Sequence, residues 1–400
     1  MFKRVSQMAF TVLFLLMIVI PLLTTNLQKN KVSADENRML APRAELYKED
    51  GTWNENYTED FETWINDNIG MRSSMIINNA RMQYYWFKVL ANNADMYLGP
   101  NGELNYATAA MLTDYQHDNL YSDDYLHEIA DNMQYLSDYV EAKGTQFYYY
   151  QCWDKHSIYP EYFPATVIQT GKESKTDGIV RALNDYSDVN VISPKQELQD
   201  GKSIIPTYSV WGDPAHWNQR GAYTGYIKLM NTINKNSDIQ YRVLQESDYN
   251  ITTPDQGATL FGGIHRVDNI EDFEIKNAKA ILTNEKLTLY SDDERHRFFT
   301  NNEVDNGTRL LIIGDSYFDA FIIDDLAESF YETIIIWGDY LSNLQNIIDT
   351  YDADIVIVEA AERVDRTKSI INGVTAMKTA GIPEISCADH AAGIDPEYSS

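Results

Sequence analysis

The apolar residues of the chain follow two spacings, one typical of buried strands and one typical of amphipathic helices. Continuous apolar runs predict strands in "TQFYYYQCW", "RLLIIGDS", "YETIIIW" and "DIVIVEAAER", and segments of helical spacing lie between them. Strands that are apolar on both faces and alternate with helices are typical of a parallel sheet covered on both sides. The pattern therefore predicts an α/β fold, a three-layer sandwich with a mostly parallel sheet.

Several further elements follow from local pattern. "YTEDFETWINDNIGMRSSMIINNARMQYYWFKVL" predicts two helices broken at Gly70, and "ADMYLGPNGELNY" predicts a hairpin around Pro-Asn-Gly. "SDDYLHEIADNMQYLSDYVEAKG" predicts a helix ending at Gly144, and "YFDAFIIDDLAESF" predicts one helix directly after "RLLIIGDS". The apolar face of that last helix is expected to bury Phe318, Phe321, Ile322 and Leu326.

The N-terminus carries a targeting signal. Lys3 and Arg4 precede an apolar stretch from Ala9 to Leu23, which predicts a signal anchor over residues 1–27 and an exported remainder. Val32-Ser33-Ala34 could instead be a cleavage site, which would make the protein secreted, but it lies well past the apolar run. We therefore favour an uncleaved anchor over cleavage.

The remaining chain is expected to form one large domain with two flanking segments. The predicted parts are a polar tether at 28–54, a globular domain at 55–366 containing a β-tending insertion at 236–305, and a peripheral tail at 367–400. Four hundred residues are ample for such a core.

Charge and composition exclude some functions. The 60 acidic and 32 basic residues give a net charge of −28, and such a surface repels nucleic acid. Cys152 and Cys387 could form a disulfide outside the cell or remain as two thiols. The seven histidines show no HxH or HExxH pattern, so we predict no metal site and no cofactor.

The end of the strand in "RLLIIGDS" presents a serine. Ligands bind beyond the carboxyl ends of strands in open α/β sheets, and Gly314 permits the sharp turn there. Ser316 would expose its hydroxyl beside helix amides that suit an oxyanion. Alternatively, Asp315 or Ser316 caps the following helix, as these residue types commonly do.

A nucleophilic serine needs a base, and "SVWGDPAHWNQRGAY" supplies a histidine with a carboxylate. Asp213 can reach Nδ1 of His216 across a turn and leave Nε2 facing Ser316. We therefore expect Oγ of Ser316 and Nε2 of His216 to lie at one sheet edge, within about 3 to 4 Å. His156 and His265 are the rival bases, whereas His117, His127 and His296 are expected at the surface.

Taken together, the GDS and Asp-x-x-His blocks resemble the Ser-His-Asp triad of SGNH hydrolases. The order is permuted, with the histidine block first, which resembles the alginate O-acetylation proteins and the DHHW family of exopolysaccharide acetylation. Further similar motifs are Glu36-Asn37-Arg38, "FETWINDNIGMRS", "DKHSIYPEYFP", "WGDPAHWNQRGAY" and "DIVIVEAAER". Members of the family usually have the motif Asp-x-His-Trp. The motif here is Asp-x-x-His-Trp, so the aspartate and the histidine are one residue further apart.

The resemblance implies a function. It implies that residues 55–366 are an SGNH-like catalytic domain in which Ser316 carries an acetyl group, His216 is the base and Asp213 orients it. The acceptor would be a polysaccharide hydroxyl outside the membrane, and the donor would be presented by a membrane-bound O-acyltransferase partner. Asn218, Arg363 and Trp217 are further candidates for substrate or oxyanion contacts.

Two other functions use the same residues. An acetylesterase would use the triad with water as acceptor, and a non-catalytic glycan-binding scaffold would use the many aromatic rings. Retention of all three triad residue types argues against the scaffold.

Overall fold

The computed structural model of the chain describes residues 2–28, 32–33, 38–48, 50–90, 95–260 and 262–379. Glu36-Asn37 of the first family motif and Cys387 lie outside these residues. The chain divides into two compact units, residues 1–92 with 259–264, and residues 93–258 with 265–400. Residues 55–92, which the sequence places in the globular domain, thus belong to the first unit.

The first unit begins with a long apolar helix. Its elements are α1 (Phe2–Leu23), β1 (Val32–Ser33), β2 (Arg38–Met39), α2 (Tyr57–Asn68) and α3 (Arg72–Met82). The segment Val5–Leu23 has a mean hydropathy of 2.3 and is long and apolar enough to cross a membrane. Gly70 lies between α2 and α3, where the sequence predicts the break.

The second unit alternates strands and helices. The elements in its first half are β3 (Met96–Leu98), β4 (Leu104–Tyr106), α4 (Ala109–Gln116), α5 (Asp123–Glu141), β5 (Gln146–Cys152), α6 (Lys155–Ile158), α7 (Lys175–Tyr186), β6 (Asn190–Ile192), α8 (Lys195–Gly201) and α9 (Gln219–Asn236). The predicted hairpin is present, because β3 and β4 pair antiparallel.

The β-tending stretch at 236–305 contains six short strands among its described residues. They are β7 (Tyr249–Thr252), β8 (Asp255–Leu260), β9 (Ile264–Asn269), β10 (Asp272–Ile275), β11 (Ile281–Leu282) and β12 (Arg297–Thr300). The last elements are β13 (Arg309–Gly314), α10 (Ser316–Asp319), α11 (Ile323–Ala327), β14 (Glu332–Trp337), α12 (Leu344–Tyr351), β15 (Ile355–Ala361) and α13 (Thr367–Thr379).

A mixed seven-stranded sheet organises this unit, which confirms the α/β prediction. Its strand order is β11-β12-β14-β13-β15-β5-β6. The five strands from β14 to β6 are mutually parallel, whereas β12 pairs antiparallel with both β11 and β14. The carboxyl ends of β14, β13, β15 and β5 therefore meet at one edge of the sheet.

Both faces of the sheet are covered. Side chains alternate between the faces of a strand, so Leu311 and Ile313 of β13 join one apolar core while Leu310 and Ile312 join the other. The first core receives residues from α5, α7, α12 and α13, and the second receives residues from α9, α10 and α11.

Two predictions about the helices near the C-terminal end of the described chain are wrong. The single helix predicted after "RLLIIGDS" is divided into α10 and α11, and the β-branched pair Ile322-Ile323, which is stiff in helices, lies at the division. The tail is not peripheral at residues 367–379, because α13 buries three apolar side chains spaced four and three residues apart. These are Ile370, Val374 and Met377.

Candidate active site

The serine turn follows β13 directly. Gly314 leaves room for Glu359 there, because a Cβ at this position would lie 2.7 Å from Oε2 of Glu359 and 3.2 Å from its Cβ. Asp315 caps the short helix α10 by accepting a hydrogen bond of 3.1 Å from the Tyr317 amide through Oδ1. Ser316 is therefore not the cap, and its hydroxyl is available for another contact.

That contact is with His216. Nε2 of His216 lies 2.9 Å from Oγ of Ser316, and Nδ1 lies 3.0 Å from Oδ2 of Asp213. Because a carboxylate only accepts hydrogen bonds, Nδ1 carries the ring proton and Nε2 can accept from the serine hydroxyl. The predicted distance between Ser316 and His216 is confirmed.

Asp213 is held as a carboxylate. Its Oδ1 accepts hydrogen bonds from the backbone amides of Ala215 and His216, each at 2.8 Å. Burial by itself raises the pKa of Asp213, but the hydrogen bond and charge of His216 and the two amides outweigh it, so the pKa is lowered overall. The residue thus stays ionised beside the imidazole.

A second carboxylate, Asp268, fixes the loop before Asp213. It accepts hydrogen bonds from the Ser209 hydroxyl and from three backbone amides, at 3.2 Å from Val210, 2.9 Å from Trp211 and 2.8 Å from Gly212. Sequence reasoning missed this residue, which lies on β9 and shows no local motif. Its contacts position the loop that presents Asp213.

Arg363, one of the candidates, is brought into the site. Its Nη2 lies 2.5 Å from Nε2 of His216, and its Nη1 donates to Oδ1 of Asp154 and, at 3.3 Å, to the Tyr317 hydroxyl. Burial lowers the pKa of Arg363, but the charge of Asp154, together with the contacts to Tyr317 and the charge of Asp315, outweighs burial and raises the pKa overall. A fixed guanidinium thus lies beside the His216–Ser316 pair.

Asn218 and Trp217 have structural contacts. Asn218 caps α9 by accepting from the Gly221 amide at 3.0 Å, and its Nδ2 donates to the Pro206 carbonyl at 2.8 Å. Trp217 is fully buried, and its ring packs edge-on against Tyr317 with centroids 5.0 Å apart. The geometry does not bring either side chain to the Ser316 hydroxyl.

The remaining histidines lie elsewhere. His156 is buried against Tyr115 and Phe163, and His265 is exposed. His296, expected at the surface, is fully buried and contacts the Tyr290 carbonyl at 2.9 Å through Nδ1. His216 is thus the histidine that the fold places at Ser316.

Glu359 lies beneath the serine turn, and sequence reasoning missed it. Its Oε2 accepts a 2.7 Å hydrogen bond from the Asp315 amide, and the side chain is fully buried. Burial, followed by the charge of Asp315, raises the pKa of Glu359 well above its usual range. The acidic residue within the apolar run "DIVIVEAA" was the available signal.

Two cavities share Phe321, and the smaller of them is lined by Asp213 of the triad. One of about 260 Å³ is bordered by Asp213, Trp217 and Phe321, and a groove of about 600 Å³ is bordered by Phe321, Phe273 and Asp325. Phe321, expected in the core, is only partly buried, and its ring lies 5.8 Å from that of His216. The site therefore opens onto space that a substrate could occupy.

Comparison with known proteins shows likeness at the level of the fold. No protein-family model and no curated protein sequence matches the chain. The chain is similar to PatB1 of Bacillus cereus, solved with a sulfonyl adduct, at a TM-score of 0.52 and 19% identity over 69% of this chain and 98% of that one. A DHHW family protein from Eubacterium siraeum aligns at a TM-score of 0.47 and 12% identity, over 72% of this chain and 96% of that one.

The O-acetyltransferase domain of Pseudomonas putida AlgJ aligns at a TM-score of 0.40 and 12% identity, over 69% of this chain and 92% of that one. The matched structures thus include the group that the sequence resembles, and the chain shares its fold with PatB1.

Proposed function

We propose that the protein is an extracytoplasmic SGNH-like serine O-acetyltransferase that acts on a polysaccharide. The observation that carries the proposal is the continuous hydrogen-bonded chain from Asp213 through His216 to Ser316. Its support also includes the permuted motif order and the position of Ser316 at the carboxyl edge of the sheet.

The first half-reaction forms an acetyl-enzyme. His216 takes the hydroxyl proton of Ser316 through Nε2 while Oγ attacks the acetyl carbonyl, and Asp213 stabilises the imidazolium that results. Collapse of the tetrahedral intermediate breaks the bond to the donor, and His216 returns the proton to the leaving group. In this proposal the Ser316 amide and the Arg363 guanidinium, which contacts Nε2 of His216, stabilise the oxyanion.

The second half-reaction reverses these roles. A sugar hydroxyl enters the cavity beside Asp213 and Phe321, loses its proton to His216 and attacks the acetyl carbonyl. The proton then passes from His216 to Oγ of Ser316 as the ester leaves. The enzyme is regenerated, and the acetyl group is bound to the glycan.

The proposed location of the protein outside the membrane limits the choice of acetyl donor. We infer that the apolar helix Val5–Leu23 anchors the chain, or is a signal that leaves a secreted protein when cleaved. No soluble acyl donor is expected outside the membrane, so a membrane-bound O-acyltransferase would present the acetyl group. The acceptor would be an exopolysaccharide or cell-wall glycan.

Acceptor competition tests the proposal. The purified protein is incubated with an activated acetyl ester, with and without a neutral oligosaccharide, and the products are analysed by mass spectrometry. A transferase yields acetylated sugar at the expense of free acetate. An acetylesterase yields free acetate whether or not sugar is present, and that result would contradict transfer while preserving the triad.

A further inference from the structure

Three ionisable side chains meet behind the serine turn. Asp154 and His156 follow β5, and Glu362 follows β15, whose last residue Ala361 pairs with Cys152. One oxygen or nitrogen from each of the three side chains lies within 4.8 Å of the other two, and Nε2 of His156 is 3.7 Å from Oε2 of Glu362. The ends of two adjacent parallel strands thus create a compact cluster that no sequence spacing reveals.

The cluster contains buried polar atoms that lack partners. Asp154 is 0% exposed and His156 is 3% exposed. Among the described residues, Oδ2 of Asp154 and Nε2 of His156 have no hydrogen-bond partner. Because a buried polar atom without a partner costs free energy, both atoms favour a ligand between them.

The protein holds the other atoms of the cluster in place. Oδ1 of Asp154 accepts from the Tyr317 hydroxyl at 2.8 Å and from Arg363. Oε1 of Glu362 accepts from the Ser157 hydroxyl at 2.7 Å, and Oε2 accepts from the Asp154 amide at 2.9 Å. The side chains are therefore oriented before any ligand arrives, as in metal sites with a supporting outer shell.

The ligand chemistry is that of a transition metal ion. One imidazole nitrogen and two carboxylates are ligands that Zn²⁺ and Mn²⁺ accept, and they lack the soft thiolates that favour copper(I). We propose that Asp154, His156 and Glu362 bind one divalent cation, Mn²⁺ or Zn²⁺, at the carboxyl edge of the sheet.

The cation would act as a positioning element. It would fix Asp154, whose other oxygen holds the guanidinium that contacts Nε2 of His216. The competing arrangement is a protonated His156 paired with Glu362 alone. The metal site does not depend on the proposed acetyl transfer, because it is defined by binding and stability rather than by turnover.

Metal loading of the full chain in detergent tests whether Asp154, His156 and Glu362 bind a divalent cation. The protein is purified without chelator for elemental analysis, stripped with EDTA, and titrated with Mn²⁺ while the electron paramagnetic resonance signal of free Mn²⁺ is followed. The expected result is one equivalent of bound Mn²⁺ or Zn²⁺, a lower Tm after stripping, and recovery of Tm on reloading.

Matched variants identify the ligands. His156→Gln and Glu362→Gln should weaken Mn²⁺ binding at least tenfold, whereas His127→Gln, at an exposed histidine, should bind like the parent. If His156→Gln or Glu362→Gln does not fold, the change in Tm of the parent after EDTA stripping and metal reloading shows whether the site binds metal. A parent that retains no metal and shows no Tm change with millimolar Mn²⁺ or Zn²⁺ would overturn the proposal in favour of the ion pair.

Discussion

The guanidinium of Arg363 contacts the same nitrogen of His216 that faces Ser316, with Nη2 and Nε2 2.5 Å apart. A guanidinium can only donate hydrogen bonds, so the contact requires an unprotonated Nε2. Arg363 therefore contacts the nitrogen that would receive the Ser316 proton.

Replacement of Arg363 should affect both stability and turnover. Arg363→Gln leaves the buried Asp154 carboxylate without its guanidinium partner. Loss of one partner of a buried ion pair typically lowers the free energy of unfolding by roughly 3–5 kcal/mol. Arg363→Lys keeps the charge but cannot span Asp154 and His216 together, so turnover of an acetyl ester should fall roughly a hundredfold with a smaller loss of Tm. Arg242→Lys, in an exposed ion pair with Asp248, is the control. Parental turnover and Tm in Arg363→Lys would contradict the assigned role.

Ser316→Ala separates a nucleophile from a helix cap. Asp315 supplies the cap of α10, so the variant should keep a Tm near the parent's and lose turnover by orders of magnitude. Thr108→Ala is the converse control, because Thr108 caps α4 through the Met111 amide at 3.3 Å. It should cost about 1 kcal/mol of stability and leave turnover unchanged.

Double variants extend this comparison. Asp213→Asn and His216→Ala should each fold and each lose acetyl-ester turnover, since the imidazole loses its required tautomer or is absent. Combined with Ser316→Ala, neither should lower turnover much further, because the three residues act as one unit. Additive losses in the double variants would argue that the residues act separately.

Stability should fall as pH rises toward neutrality because of Asp325. Burial, and to a lesser degree Asp324 and Glu328, raises its pKa from 3.8 to about 7 against the hydrogen bond from Tyr249. The folded state therefore holds a proton that the unfolded state loses near pH 4, and stability declines between about pH 4 and pH 7, by on the order of 4 kcal/mol.

Asp325→Asn should remove this dependence. The amide keeps an acceptor for Tyr249 and carries no charge, so the variant should be more stable than the parent at pH 8 and flatter between pH 4 and pH 7. Thermal unfolding at several pH values measures the effect, with exposed Asp305→Asn as control. If Tm depended on pH in the same way in the parent and in Asp325→Asn, Asp325 would not be the cause of the pH dependence.

The sequence predicted the parts of the site that carry local signatures. Ser316 follows an apolar strand and a glycine, and Asp213 and His216 share one short turn, so both blocks are visible in the chain. Their contact could be predicted because both were expected at one sheet edge. The division between α10 and α11 was missed, since apolar spacing alone does not show where β-branched residues interrupt a helix.

The supporting residues could not be predicted in the same way. Asp268 is separated in sequence by 56 to 59 residues from the Ser209–Gly212 loop that it contacts. Asp154 and Arg363 are separated by 209 residues. Such contacts depend on strand order and register, which single-strand patterns do not specify. Glu359 was visible as a charge within a buried strand, but its partner, the Asp315 amide, was not.

Detection of an acetyl group on Ser316 would show directly that this residue is the nucleophile. The parent and Ser316→Ala are mixed with an activated acetyl ester, quenched in acid, digested, and analysed by mass spectrometry for one added acetyl group. We expect acetylation of Ser316 in the parent, its disappearance when an acceptor sugar is added, and no such adduct in Ser316→Ala. A Ser316→Ala protein that processes the ester at near-parental rate, or an acetyl group found on a different residue of an active parent, would exclude Ser316 as the nucleophile.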